Sequence, residues 1–83
     1  MAKYFFHLTT SHETHDDEGT ELDSLQKARC YAVKMIADVL CNSPEEYWEA
    51  EVYRVTVTDE SRLILFTVEM ISMESAATPR RAR

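Results

Sequence analysis

Residues 51–71 read EVYRVTVTDESRLILFTVEMI, and this stretch decides the fold. Apolar and polar side chains alternate on both sides of a polar turn at 59–62, which predicts two strands, Glu51–Thr58 and Leu63–Ile71, joined as an antiparallel hairpin. The side chains expected to face the core are Tyr53, Val55, Val57, Ile64, Phe66, Val68 and Met70. The hairpin therefore has one largely apolar face that needs a covering layer.

The N-terminal part of the chain predicts a further strand. Lys3–Thr9 alternates, with Tyr4, Phe6 and Leu8 on one face, and therefore predicts a strand. Thr10–Gly19 is polar and acidic and predicts a loop, in which Gly19 suits a positive φ. Thr20–Leu22 fits a short returning strand, and the sequence leaves open whether it pairs with the first strand.

One helix is expected between the first strand and the hairpin. Asp23 suits the N-cap position, with Gln26 completing a capping box, and Asn42, as a left-handed cap, and Pro44 end the helix. The predicted buried stripe consists of Leu25, Ala28, Ala32, Met35, Ile36, Val39 and Leu40. Pro44–Glu49 repeats the start signal and predicts a short helical connector.

These elements predict the fold class. One helical stripe covers only one face of a sheet, so we expect an α+β fold: a two-layer sandwich with a small antiparallel sheet of three or four strands and one main helix on one face. We expect a single domain at 1–77, followed by a flexible, Arg-rich C-terminal tail at 78–83.

The sheet face away from the helix is unusually apolar for a solvent face. It carries apolar side chains among polar ones, and the residues predicted to form an interface are Phe5, His7, Val52, Leu63 and Leu65. We interpret this face as a homodimer surface. A different protein partner and a merely mixed exposed face remain the alternatives.

Composition excludes several classes of function. The 83 residues contain one Gly, which excludes glycine-rich phosphate loops. Residues 1–77 carry 6 basic and 15 acidic side chains, a net charge of −9, which disfavours binding to nucleic acid or anionic lipid. The exception is the tail with Arg80, Arg81 and Arg83, which we interpret as a solubilising end.

The cysteines and the N-terminus predict a cytoplasmic location. Cys30 and Cys41 lie on the same predicted helix, about 16 Å apart, which is too far for a disulfide or a shared metal ion. Free thiols are typical of a reducing compartment. No signal peptide and no apolar stretch near membrane-spanning length is visible in the sequence, so we expect a soluble intracellular protein without membrane contact.

Several motifs resemble those of a family of short bacterial proteins of unknown function. They are Tyr4-Phe5-Phe6-His7, the acidic turn Asp17-Glu18-Gly19-Thr20-Glu21-Leu22, and a closing hairpin. The resemblance spans roughly residues 3 to 70 and implies the architecture above but no activity. Members usually carry Gly in the last turn, where this chain has Ser61-Arg62.

The acidic loop at 12–18 is the strongest candidate for metal chemistry. Imidazole and carboxylate groups are competent ligands for zinc or manganese, and the candidate ligands are His12, His15, Asp16 and Asp17, with His7 as a further one. Density alone does not make a site, so we favour a solvated acidic loop. The alternative is a metal-binding protein or a metal-dependent hydrolase that uses this loop.

No catalytic residue and no cofactor is predicted. His7 can pair with Asp17 or Glu21 if the chain turns back, and we interpret such a pair as structural rather than as an acid or base. Cys30 lacks a histidine at helical spacing and is interpreted as an inert thiol. The leading hypothesis is a small non-enzymatic interaction or regulatory module. Acidic mimicry of nucleic acid is a lesser alternative.

Overall fold

A computed structural model describes residues 2–10, 12–42, 52–71 and 75, and it confirms the predicted α+β fold. The elements are β1 (Ala2–Thr9), β2 (Glu13–Thr14), β3 (Thr20–Leu22), α1 (Leu25–Asn42), β4 (Val52–Thr58) and β5 (Ile64–Ile71). The predicted connector at Pro44–Glu49 and the predicted tail at 78–83 lie outside the described residues.

The strands form one antiparallel sheet in the order β2-β1-β4-β5, with β3 also paired to β1. Segment 13–22 returns along β1 and pairs with it at two places, Leu8 with Thr14 and Tyr4 with Thr20. Residues 5–7 of β1 therefore lie opposite the longer segment 15–19, which bulges away from the ladder. Thr20–Leu22 is thus a strand, and the segment predicted as a loop contains a second short one, β2.

The core lies between α1 and one face of the sheet. Ala28, Ala32 and Ile36 of α1 are completely buried, and the two alanines let the helix approach the sheet closely. The buried cluster consists of Tyr4, Phe6, Ala28, Ala32, Ile36, Val55 and Val57. This helix, the one described for the chain, does not combine the length and the apolar character needed to cross a membrane.

The helix ends differ in detail from the prediction. Ser24, not Asp23, is the N-cap, because its hydroxyl oxygen accepts the Lys27 N–H at 3.2 Å and its carbonyl accepts the Ala28 N–H at 3.1 Å. Asp23 instead pairs with the Lys27 ammonium group at 2.9 Å. Asn42 is the last helical residue and lacks the positive φ expected of a left-handed cap.

The predicted apolar stripe is too wide at its N-terminal end. Leu25 is 40% exposed, because it lies in the first turn of α1. Tyr31, which the stripe omitted, packs its ring against Phe6 with 4.6 Å between the ring centroids. Tyr31 is otherwise exposed, so its contact with Phe6 lies at the edge of the core.

The hairpin of β4 and β5 is confirmed, but a β-bulge changes the direction of one side chain. Val57 pairs with Phe66 while Thr58 pairs with Ile64, so Leu65 is an extra residue in β5. The prediction that Ile64 faces the core is therefore wrong. Its side chain is 62% exposed and lies on the sheet face opposite α1.

Candidate functional site

An open groove of about 800 Å³ lies on the sheet face opposite α1. The strands β1, β4 and β5 form its floor, and the acidic segment after β1 and the turn between β4 and β5 form its walls. The lining residues are Phe5, His7, Leu8, Thr9, Glu13, Thr14, His15, Asp16, Asp17, Thr56, Thr58, Asp59, Glu60, Arg62 and Ile64. The groove therefore combines a partly apolar floor with a mainly acidic rim.

Asp16 holds the wall of the groove against β1. Its Oδ2 accepts the Phe6 N–H at 3.1 Å, and its Oδ1 accepts the N–H groups of Glu18 at 3.1 Å and Gly19 at 3.0 Å. The carboxylate thereby replaces the backbone acceptor that the bulged segment cannot offer to Phe6. Gly19 has a φ of 75°, which completes the turn.

Close packing also requires glycine at position 19. An added Cβ would lie 2.9 Å from Cγ of Lys3 and 3.0 Å from a ring carbon of Phe5. Both the backbone conformation and the space therefore favour the residue without a side chain. The sequence prediction of a positive φ at Gly19 is confirmed.

The environment of Asp16 holds its pKa below the usual value of 3.8. Partial burial raises the pKa, but the three N–H bonds from Gly19, Phe6 and Glu18 together lower it more. The ionised form is the one that these donors require. Asp16 is therefore a structural carboxylate at neutral pH.

His7 lies in the groove between Asp16 and Thr58, the last residue of β4. Its Nδ1 accepts the backbone N–H of Asp16 at 3.2 Å, and its Nε2 lies 3.1 Å from the Thr58 hydroxyl oxygen. An accepting Nδ1 carries no proton, so in the neutral ring the proton is on Nε2 and donates to Thr58. The sequence offered Asp17 or Glu21 as possible partners of His7, whereas in the structure the ring contacts the Asp16 backbone N–H and the Thr58 hydroxyl.

This tautomer decides what the His7–Thr58 pair can do chemically. A general base for a hydroxyl nucleophile needs an unprotonated nitrogen facing the hydroxyl, whereas here Nε2 is the donor. Thr58 is also buried, with 7% of its surface exposed. The arrangement thus stabilises the sheet and the acidic segment and does not activate Thr58.

The predicted metal ligands point to different places. Both oxygens of Asp16 bind backbone N–H groups, and Asp17 is exposed on the groove wall. The ring of His15 lies edge-on to that of His7, with 5.3 Å between centroids, and its Nε2 is 3.8 Å from Glu13 Oε1. His12 is exposed. Within the described ranges, no three His, Cys, Asp or Glu side chains are placed to hold a metal ion.

The residues predicted for the interface occupy different positions on the hairpin and the groove. Phe5 and His7 line the groove and are half-buried, and Val52 is half-buried at the start of β4. Leu63 is 63% exposed, but it belongs to the turn before β5. Leu65 is 37% exposed at the bulge.

Two residues of this region, Thr58 and Ile64, have roles that the sequence pattern does not indicate. Thr58 was read only as a polar residue of a strand, yet it is buried and contacts His7. Ile64 was assigned to the core. The displacement of Ile64 comes from the extra residue Leu65 in β5, and the alternating sequence of this strand carries no signal for it.

Comparison with known families agrees with these features. The family model for a domain of unknown function, DUF6894, matches residues 3–72. The chain belongs to this family. The resemblance to a family of unknown function is thereby confirmed, and the match includes the groove and all six elements of the fold except the first residue of β1. No curated protein and no solved structure matches the chain.

Proposed function

We propose that this DUF6894 protein is a non-enzymatic interaction module that forms a homodimer through apolar residues of the open sheet face, the face opposite α1. The observation that supports this most directly is the exposure of apolar side chains on or beside β5. Leu63, Ile64, Leu65 and Ile71 are 63%, 62%, 37% and 60% exposed. Several exposed apolar groups along one strand are typical of a protein contact.

The chemistry of the groove also supports a role in binding. The Thr58 hydroxyl is buried and accepts a hydrogen bond from the His7 Nε2–H group, and the Asp16 carboxylate accepts hydrogen bonds from three backbone N–H groups. These groups, which resemble catalytic ones in type, are occupied in holding the fold. The metal-dependent alternative rests on the composition of the acidic segment alone.

The proposed location is the cytoplasm. Cys30 and Cys41 are both exposed and unbonded in the structure. Exposed free thiols persist in a reducing compartment, where disulfide formation is suppressed. This supports the location that the sequence predicts.

The experiment compares two single substitutions by light scattering after size exclusion. Leu65→Glu places a charge on the open face, and Val33→Glu places the same charge on α1, where Val33 is 48% exposed. We expect the unmodified chain and Val33→Glu to have twice the chain mass, and Leu65→Glu to have the mass of one chain. A dimer that tolerates Leu65→Glu, or an unmodified chain that is monomeric, contradicts the proposal.

A further inference from the structure

Besides the exposed apolar side chains of the open face, the sheet has an outer edge, that of β5, which no described strand covers. β5 ends the strand order, and none of the described strands pairs with its outer edge. The strand is eight residues long, Ile64–Ile71, so it presents a row of backbone donors and acceptors. Such an edge is a template for pairing with another strand.

The hydrogen-bond pattern identifies which groups of β5 point outward. The Phe6 N–H donates to Asp16, which lies on the β2 side of β1, and successive residues of a strand point their N–H groups to opposite edges. The β1 residues that bond β4 are therefore Phe5, His7 and Thr9, and their β4 partners are Thr58, Thr56 and Arg54. The β4 residues that lie between these three bond β5.

The same alternation shows which backbone N–H and C=O groups of β5 point away from β4. Tyr53, Val55 and Val57 of β4 pair with Met70, Val68 and Phe66 of β5. The residues between these, Thr67, Glu69 and Ile71, direct their backbone N–H and C=O groups to the outer edge. These are the groups that a partner strand would bind.

The edge lacks the usual protection against strand pairing. Exposed sheet edges are commonly blocked by Pro or by a charged residue such as Lys. Segment 64–71 contains neither Lys nor Pro, and its one charged residue is Glu69. The Arg54 guanidinium lies 2.6 Å from the Glu69 carboxylate on the neighbouring strand and neutralises its charge.

We infer that the outer edge of β5 pairs with β5 of a second copy of this chain, antiparallel and with the two-fold axis at Val68. The inference rests on the homodimer proposed above and places its contact at the β5 margin of the open face, where the two strands pair edge to edge and Leu65 and Ile71 meet those of the second copy. In this register Leu65 lies opposite Ile71 of the partner subunit, Phe66 opposite Met70, and Thr67 opposite Glu69. Apolar residues meet apolar residues, and the Thr67 hydroxyl meets a carboxylate.

The neighbouring registers are less complementary. Moving the two-fold axis to Glu69 places two Glu69 side chains directly opposite each other, which is unfavourable. Moving it to Thr67 places Leu65 opposite Glu69. A register shifted by a single residue is excluded, because directly opposed residues must have their side chains on the same face of the joined sheet. The Val68 register also buries Leu65 and Ile71, which are 37% and 60% exposed in the single chain.

Cysteine cross-linking of the full chain tests the register. Cys30→Ser and Cys41→Ser remove the two exposed native thiols, and Thr67→Cys or Glu69→Cys is then added to separate chains. Directly opposed residues in a hydrogen-bonded antiparallel pair have Cα atoms about 5.5 Å apart, which permits a disulfide. Each chain is oxidised alone and as a mixture, after its fold has been checked by circular dichroism.

The Val68 register predicts a covalent dimer in the mixture and none in either chain alone. Cross-linking of the Glu69→Cys chain alone, or of the Thr67→Cys chain alone, overturns the register in favour of a neighbouring one. A dimer by light scattering that does not cross-link in any sample overturns the edge pairing but leaves the proposed homodimer. A monomer by light scattering overturns both.

Discussion

At the scale of single residues, Asp16 is the group on which the site depends most. Its carboxylate replaces a strand partner for Phe6 and also closes the turn at Glu18 and Gly19. Removing it leaves three N–H donors without this acceptor. Hydrogen bonds to a charged group contribute more than neutral ones, about 1.5 to 3 kcal/mol in net terms.

We therefore expect Asp16→Ala to lower the free energy of unfolding by about 2 kcal/mol. The matched control is Asp17→Ala, because Asp17 is exposed and adjacent, and its loss should change stability by less than about 0.5 kcal/mol. Urea unfolding followed by circular dichroism measures both. Equal effects of the two substitutions would show that Asp16 does not hold the wall of the groove.

The pKa of Asp16 gives a second prediction at this scale. The pKa is lowered on folding, so its contribution to stability is complete above the unfolded pKa near 3.8 and is lost as the pH falls below that value. Asp16→Asn removes this titration. We expect the unmodified chain to lose more stability than Asp16→Asn between about pH 7 and about pH 3. Parallel stability profiles for the two proteins would contradict this.

At the scale of elements, the hairpin turn contains a strained position. Arg62 has a φ of 67°, a conformation that costs a non-glycine residue about 1 to 2 kcal/mol. We expect Arg62→Gly to raise the free energy of unfolding by about 1 kcal/mol and Arg62→Ala to give no such gain. Thermal unfolding measures the difference, and a gain shared by both substitutions would instead implicate the Arg side chain.

The start of α1 gives a prediction that distinguishes two adjacent residues. Ser24 caps the helix through its hydroxyl oxygen, whereas Asp23 forms an exposed ion pair with Lys27. Ser24→Ala should cost about 1 kcal/mol, and Asp23→Ala should cost less. Chemical unfolding of the two variants tests the assignment. The reverse order would mean that Asp23 is the N-cap in solution.

The sequence predicts elements well where one physical signal controls them. The alternation in 51–71 and the apolar stripe around Ala28, Ala32 and Ile36 lead directly to the hairpin and the covering helix. The position of Ile64 could not be predicted in the same way, because one extra residue, Leu65, reverses the alternation. The expected Gly in the last turn was absent, which concealed the bulge geometry at Arg62.

The candidate site was harder to predict than the fold. The sequence indicated that His7 would meet the acidic segment, but the register of segment 13–22 decides which acid it meets. A side-chain carboxylate that replaces a backbone acceptor leaves no periodic signal in the sequence. The contact between His7 and Thr58 joins residues 51 positions apart and depends on the pairing of β1 with β4.

At the scale of the whole molecule, the open face and the β5 edge are the surfaces that a second copy would cover. The net charge of −6 makes two copies repel each other, so the contact must come from apolar residues and backbone hydrogen bonds. Added salt screens this repulsion. We expect the dissociation constant of the homodimer to fall as ionic strength rises, which sedimentation at several salt concentrations measures. Dissociation by salt would point to an ionic contact instead.

Sedimentation equilibrium of the unmodified full chain is the most direct test of the central claim, which is that a second copy binds this sheet. The mass is measured over a series of micromolar concentrations, with Leu65→Glu measured alongside. We expect a mass that approaches twice the chain mass with increasing concentration, and a Leu65→Glu chain that stays monomeric. A single-chain mass for the unmodified protein at every concentration would contradict it.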